Sequence, residues 1–264
     1  MQKIKHFMYM PLLGLGLYNG HRGADWLCNR IKILKQFVVP SLLNQTSKNF
    51  TLWISVRHED KHDSQIKDLK KYFDGITEFK TIFTYSGVYF YDDKYPDEVA
   101  RQRLVDSLHG SMGELINEIG DAKYVAMTIQ PSDDLYHAST VKKIQEEFSY
   151  NPNLKAVGYR YGYISNYLTK EINFYNPTTN PPFYTIKFPR EVFTDPLKHL
   201  EYTGIKYNFY NTKYPLGTPL PSHEYLKDVF GDDYRTFDER GFLVGCHFDN
   251  ISTHFSIPYK GESV

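Results

Sequence analysis

Two adjacent carboxylates, Asp133 and Asp134, follow an apolar run in the stretch "AMTIQPSDDLYHAS". A core strand rarely ends in two like charges, since neighbouring carboxylates repel each other. One interpretation is a helix N-terminus, where Asp is a favoured cap and the macrodipole stabilises negative charge. The other is a divalent-cation site, because Mg²⁺ and Mn²⁺ prefer hard oxygen ligands and commonly bridge substrate phosphates. The residues alone leave both interpretations open.

The apolar periodicity predicts the elements that would position these carboxylates. Strands are predicted at 4–18 (running into a glycine-rich turn), 50–56, 79–86 and 123–130, and helices at 25–43, 64–75, 96–120 and 139–150. This alternation is typical of an α/β fold with a mostly parallel central sheet and helices on both faces. Ligands of such sheets bind outside the carboxyl ends of the strands, which is where Asp133 and Asp134 fall. Residues 9–17, 57–63 and those from Ser86 onward follow other strands at the same edge.

The pattern changes after Tyr150, where clusters of Pro, Asn, Thr and Tyr begin. Strand segments are predicted at 156–166 and 183–193, and a helix is predicted at 223–231. No flexible linker separates the two parts. We therefore predict an α/β half at 1–150 and an extension at 151–264 within the same compact domain.

Composition argues against several classes of function. The 31 basic and 31 acidic residues give a net charge of zero, so nucleic acid and anionic membranes are not predicted partners. The two cysteines, Cys28 and Cys246, form neither a disulfide framework nor a metal-ligand spacing, which favours a cytoplasmic protein. The apolar N-terminal run is broken by Pro11 and is too short for a transmembrane segment. Neither a P-loop nor a G-x-S-x-G motif is present.

Four segments follow one another along the chain: "RIKILKQFVVPSLLNQTSKNFTLWISV", "ARQR", "PSDD" and "GCHFDN". In this order they resemble the GT-A-type glycosyltransferases and, more narrowly, the rhamnosyltransferase-like family. The resemblance implies a GT-A-like (Rossmann-like) fold with a nucleotide-sugar-binding half at 1–150 and an acceptor-side half at 151–264. It also implies transfer of a sugar from a nucleotide-diphosphate sugar donor to a glycan or other hydroxyl acceptor, with inversion favoured.

The same resemblance implies that Asp133, Asp134 and His247 hold Mn²⁺ or Mg²⁺. One departure concerns the first acid of the family's Asp-Ser-Asp-Asp element, because this chain has Pro131 and then Ser132 before the two remaining acids. The departure leaves open a weakened metal site, or a degenerate protein that binds carbohydrate or nucleotide without catalysis. A nucleotidyltransferase is a further alternative.

Other donor-site residues implied by the resemblance each have an ordinary structural interpretation. Asp60 would contact the base or ribose, although its loop is also a plain run of solvated charges. Arg101 would lie beside the nucleotide, although surface arginines are common. Ser132 and Tyr9 would also contact the donor. His247 is equally compatible with a role in the core or as a cap.

An inverting transfer needs a general base within hydrogen-bond reach of the acceptor hydroxyl. His223 and Glu224 open a predicted helix in the acceptor-side half and are the candidates, with Asp238 in reserve. The structural alternative is that Ser222 caps this helix and Glu224 complements its dipole.

Overall fold

A computed structural model describes residues 3–13, 23–87, 97–204 and 223–247. These residues form a single nine-stranded sheet with helices on its faces. The strands are β1 (Ile4–Leu13), β2 (Thr51–Arg57), β3 (Lys80–Gly87), β4 (Tyr124–Ile129), β5 (Leu135–Tyr136), β6 (Ala156–Asn166), β7 (Ile172–Tyr175), β8 (Tyr184–Pro189) and β9 (Tyr234–Cys246).

The helices are α1 (Ala24–Ile33), α2 (Val39–Leu43), α3 (Ser64–Asp74), α4 (Asp97–Ile119), α5 (Thr140–Tyr150), α6 (Arg190–Phe193), α7 (Pro196–Tyr202) and α8 (Leu226–Phe230). A π-helical turn, Leu34–Val38, joins α1 to α2, and short 3₁₀ turns lie at Glu59–His62, His223–Tyr225 and Gly231–Asp233. Among the described residues, no helix combines the length and apolar character that a membrane crossing requires.

The sheet is mixed, with the order β3-β2-β1-β4-β8-β6-β9-β5 and β7 paired to β6. Its first four strands are parallel to one another, which confirms the α/β sheet predicted from strands at 4–18, 50–56, 79–86 and 123–130. Residues 14–18 of the first prediction, with the glycine-rich turn, lie outside the described residues. Beyond β4 the sheet is antiparallel except for the parallel pair β6–β9, and the antiparallel pair β4–β8 joins residues from both sides of Tyr150. The predicted division at 150 therefore falls within one continuous sheet.

The core lies on both faces of the sheet because alternate residues of each strand point to opposite sides. Phe7 and Tyr9 of β1 belong to a cluster that includes residues of α4, α7 and α8. Met8 and Met10 belong to a second cluster that includes residues of α1, α2 and α3. Every residue of β2 is buried, as expected for a strand covered on both faces.

Glycine and proline have three local effects on the helices. The long helix α4 runs unbroken through Gly110, which lies against Ser86 of β3, where a Cβ would clash. Asp25 does not cap α1, whose N-cap is Gly23 at φ 92°, a backbone conformation that favours glycine. The helical path also continues past Pro40, with the π-helical turn directly before the segment that contains it.

Candidate active site

Asp133 and Asp134 lie in a loop just beyond the carboxyl end of β4. Gln130 fixes this loop by donating from its side-chain amide to the carbonyl oxygens of Pro131 and Asp134, at 2.8 and 3.0 Å. The Tyr167 hydroxyl donates to the Asp133 carbonyl oxygen at 2.6 Å. One nearby and one distant side chain thus fix the backbone that carries both acids.

The helix-cap interpretation of the two acids is wrong. Helix α5 begins only at Thr140, and its N-cap is Ser139. Both acids are therefore too far upstream to reach its first turn, and their charges need another partner.

A buried ion pair supplies that partner for Asp133. Arg30 of α1 contacts the Asp133 Oδ2 atom through Nη1, and the two side chains are only 4% and 16% exposed. His247, directly after β9, places Nε2 at 3.3 Å from the same oxygen. Strand β8 is antiparallel to both β4 and β6, so β6 runs in the same direction as β4. Since β9 is parallel to β6, the carboxyl ends of β9 and β4 share one edge of the sheet. The sheet topology therefore brings Asp133 and His247 together.

Asp134 is buried and makes a different contact, in which its Oδ1 atom accepts the backbone N–H of Gly245 at 2.8 Å. Burial, followed by the neighbouring Asp133 charge, raises the pKa of Asp134 well above its ordinary value. Burial also opposes ionisation of Asp133, but hydrogen bonds from His247 and Arg30 and the Arg30 charge bring its pKa below the ordinary value. Asp133 is thus the ionised member of the pair, and Asp134 holds a proton more tightly.

This arrangement does not fit a divalent-cation site. The Arg30 guanidinium already contacts Asp133, and the described residues contain no cluster of three or more His, Cys, Asp or Glu side chains that could hold a metal ion. A doubly charged ion about 4 Å from the guanidinium would be repelled by on the order of 8 kcal/mol at an effective dielectric constant of about 20. The predicted Mn²⁺ or Mg²⁺ requirement is still a prediction, and the binding experiments below measure it.

Of the predicted donor-site residues, Asp60 and Tyr9 are both engaged within the protein. Asp60 is 9% exposed and pairs with Arg57, whose Nε and Nη2 atoms donate to the two carboxylate oxygens at 2.5 and 2.6 Å. Tyr9 is fully buried, and its ring lies 4.4 Å from that of Trp53. Asp60 follows β2 at the same edge as Asp133, whereas the Tyr9 side chain belongs to the core.

Ser132 precedes Asp133 in the loop and is half-buried. Arg101 lies in α4, but its side chain is outside the described part of the structure. The nucleotide contact predicted for each of them stays a prediction.

Of the predicted general bases, the structure brings His223 and Glu224 to the same edge as Asp133. The Nδ1 atom of His223 contacts the carbonyl oxygen of Asn180. Asn180 precedes β8, which begins beside the carboxyl end of β4 because the two strands are antiparallel. Asp238 is not brought there, since it lies nine residues before His247, a separation of roughly 30 Å along an extended strand.

Sequence reasoning missed Arg30 as a site residue. It occupies the buried face of α1 with Leu27 and Ile31, a position where the helical pattern calls for an apolar side chain. The sequence did contain a signal for Arg30, because an arginine on the apolar face of an amphipathic helix needs a buried partner. Tyr167 was also missed, since one tyrosine among 23 carries no pattern of its own.

A groove of about 450 Å³ is lined in part by the residues that directly follow the two acids in the chain. Its wall includes Leu135 and Tyr136, the residues that follow Asp134, together with Tyr163 of β6 and Arg240 of β9. The remaining lining residues are Gln36, Phe37, Pro40, Ser41, Asn44, His137, Ala138, Phe242 and Leu243. Aromatic faces with amide, hydroxyl and imidazole groups around them suit a sugar ring.

Neither a protein-family model nor a curated protein matches this sequence. Solved structures that resemble the fold include S. aureus TarS 1-349, at 12% identity and a TM-score of 0.43 over 91% of this chain and 60% of that one. The same TarS fragment in complex with UDP gives 9% identity and a TM-score of 0.40 over 93% of this chain and 61% of that one. Mouse xyloside xylosyltransferase 1 in its apo form gives 14% identity and a TM-score of 0.34 over 60% of this chain and 53% of that one.

This chain therefore spans about 60% of the TarS fragment that it resembles. Because every one of these TM-scores is below 0.5, the likeness supports no conclusion about activity.

Proposed function

We propose that this protein is a glycosyltransferase that moves a sugar from a nucleotide-diphosphate sugar to a hydroxyl acceptor. The observation that carries the proposal is the buried cluster of Asp133, Arg30 and His247 at the carboxyl edge of the parallel strands. This edge is where open α/β sheets bind nucleotides and related ligands. The ordered resemblance of four sequence segments to GT-A-type enzymes supports the same assignment.

In the proposed reaction the acceptor oxygen forms a bond to the anomeric carbon of the donor sugar. The bond from that carbon to the diphosphate oxygen breaks, and its electron pair leaves with the nucleoside diphosphate. The acceptor hydroxyl gives its proton to a base of the protein. A single displacement of this kind inverts the anomeric centre.

His223 is the best-supported base. Its Nδ1 atom faces the carbonyl oxygen of Asn180, so Nδ1 carries the proton and Nε2 is the nitrogen that can accept one. Burial is the largest effect on the pKa of His223 and lowers it, which keeps the ring neutral near pH 7. Glu224 is exposed and therefore more strongly solvated, and it is the second candidate.

The groove beside Asp134 is proposed to hold the acceptor. Its lining includes Leu135, the residue that follows Asp134, so the groove borders the loop that carries both acids. This groove also supports the alternative that the protein binds carbohydrate without catalysis, because its aromatic lining does not depend on the charged cluster.

The two functions are separated by calorimetry of the protein against UDP-, GDP- and dTDP-sugars, each with Mn²⁺ and with a chelator, and against free oligosaccharides. A glycosyltransferase binds at least one nucleotide-sugar, and its donor is consumed when an acceptor is added. Binding of free glycans without any nucleotide-sugar would refute the transferase and establish a binding protein. A product that retains the donor's anomeric configuration would refute the single displacement.

A further inference from the structure

Arg30 has more hydrogen-bond donors than its partner Asp133 uses. The guanidinium carries five N–H donors, and Nη1 is the atom that contacts Asp133. The Nε atom is also buried, and it has no hydrogen-bond partner among the described residues. The guanidinium stacks over the Trp26 ring at 5.1 Å, which helps to fix its orientation. Arg30 is thus a cation fixed in position, and Asp133 does not use all of its N–H donors.

The position of Arg30 is the one at which a leaving diphosphate would need positive charge. Its carboxylate partner lies just past β4, and Asp60 follows β2 at the same edge. A planar guanidinium matches phosphate oxygens with two parallel hydrogen bonds, and its charge is permanent. The chain itself therefore places a cation where the resemblance implied a metal ion.

We propose that Arg30 binds the diphosphate of the donor and takes the place of a divalent cation, so that donor binding and transfer are metal-independent. This inference rests on the proposed function. When the bond between the anomeric carbon and the diphosphate oxygen breaks, the electron pair stays on that oxygen, and the Arg30 N–H donors stabilise the resulting charge. Asp133 orients the guanidinium, and His247 contacts the same carboxylate oxygen.

The decisive variant is Asp133→Asn, because the two chemistries predict opposite results for it. If Asp133 were a metal ligand, the variant would lose Mn²⁺-dependent binding of nucleoside diphosphate. If Asp133 orients Arg30, the variant keeps the arginine and an amide oxygen that can still accept its hydrogen bond, and it removes the competing anion. The buried Arg30 then lacks an anionic partner in the free protein, so the variant is expected to be less stable than the wild-type protein, and binding is measured where circular dichroism shows it folded. We therefore expect UDP, GDP or dTDP to bind Asp133→Asn in chelator with an affinity equal to or above that of the wild-type protein.

A second pair of variants tests Arg30 itself. Arg30→Met alone leaves the buried Asp133 charge with His247 as its remaining contact and without a permanent cation, so this variant is expected to be poorly folded. The double variant Arg30→Met/Asp133→Asn leaves no unpaired charge, so we expect it to fold and to lose at least tenfold in affinity for the diphosphate. Arg235→Met removes an exposed arginine that pairs with Glu147 and is the control, with unchanged binding expected.

Calorimetry in chelator and in Mn²⁺ gives distinguishable failures. If the wild-type protein binds a nucleoside diphosphate only with Mn²⁺ and Asp133→Asn abolishes that binding, the role of Arg30 is refuted while the transferase proposal stands. If the double variant binds as tightly as the wild-type protein, the role of Arg30 is refuted as well. If the wild-type protein binds none of the three diphosphates in either buffer, both proposals fail.

Discussion

Replacing Gly245 by Ala tests whether the close packing around the two acids holds the site in place. A Cβ at this position would overlap the Tyr167 ring and the carbonyl oxygen of Asp133, well inside the 3.0 Å that Cβ atoms respect. The φ angle of Gly245 is not positive, so the cost comes from crowding alone. The carbonyl oxygen belongs to the backbone and cannot rotate away, so the Asp133 loop has to shift.

Overpacking of this kind costs about 1–3 kcal/mol. For a chain of this size each kcal/mol lowers the melting temperature by about 2–4 °C, so Gly245→Ala is expected to melt about 2–12 °C below the wild-type protein. Because Gly245 also donates its N–H to Asp134, the shift should weaken nucleoside diphosphate binding even at temperatures where the variant is folded.

Gly113→Ala is the matched control. Gly113 lies in α4, and a Cβ there would meet no atom within 4 Å. Alanine in a helix interior is favoured over glycine by about 0.5–1 kcal/mol, so this variant should melt slightly above the wild-type protein. Thermal unfolding followed by circular dichroism, together with calorimetry of UDP, GDP and dTDP, measures both effects. A Gly245→Ala protein with wild-type melting temperature and binding would refute the packing argument.

Three further predictions concern buried or capping polar groups. Burial lowers the pKa of His6 to about 3, so the folded state binds fewer protons than the unfolded chain between about pH 6.5 and 3. The free energy of unfolding should therefore fall by up to about 1.4 kcal/mol per pH unit as the pH is lowered through this window. Denaturant titrations at pH 7 and pH 5 should show a smaller loss of stability for His6→Gln than for the wild-type protein. Trp53→Phe removes the indole N–H that donates to the buried Thr84 hydroxyl at 2.8 Å, and it should lower the free energy of unfolding by about 1–3 kcal/mol. Adding Thr84→Val removes the hydroxyl left without its donor and should recover part of that loss. If the double variant recovers nothing, the lost hydrogen bond is not the cause. Asp63→Ala removes the side-chain cap of α3 and should cost about 1 kcal/mol in urea unfolding, whereas an equal loss for Asp63→Asn would argue against capping.

The first four strands could be predicted because their burial leaves a plain signal. β2 is buried along its whole length, so it reads as an uninterrupted apolar run. The same reasoning placed Asp133 at the carboxyl edge of the sheet, where the structure has it. Local sequence was sufficient for β1, β2 and β4 because these strands are buried along most of their length, whereas the edge strand β3 is only partly buried.

β9 could not be predicted, because its first half is largely exposed and carries charged side chains such as Asp238 and Glu239. Only its last residues, which are mostly buried, gave the apolar run that precedes His247. The pairing of Arg30 with Asp133 was likewise out of reach, since it joins residues about a hundred positions apart. Helix periodicity reports which face is buried, but it does not report which partner lies opposite that face.

The position of β9 has a consequence for the order in which the protein acquires its site. β9 is the last described strand of the chain, yet it lies inside the sheet, between β6 and β5. Contacts between distant parts of a chain form late because their loops are entropically costly to close. During synthesis β1 to β4 also leave the ribosome before β9. His247 can reach Asp133 only after β9 has inserted between β6 and β5. The contact between His247 and Asp133, and with it the proposed donor binding, should consequently appear as one of the last steps of folding, and a chain that stops before β9 should lack both.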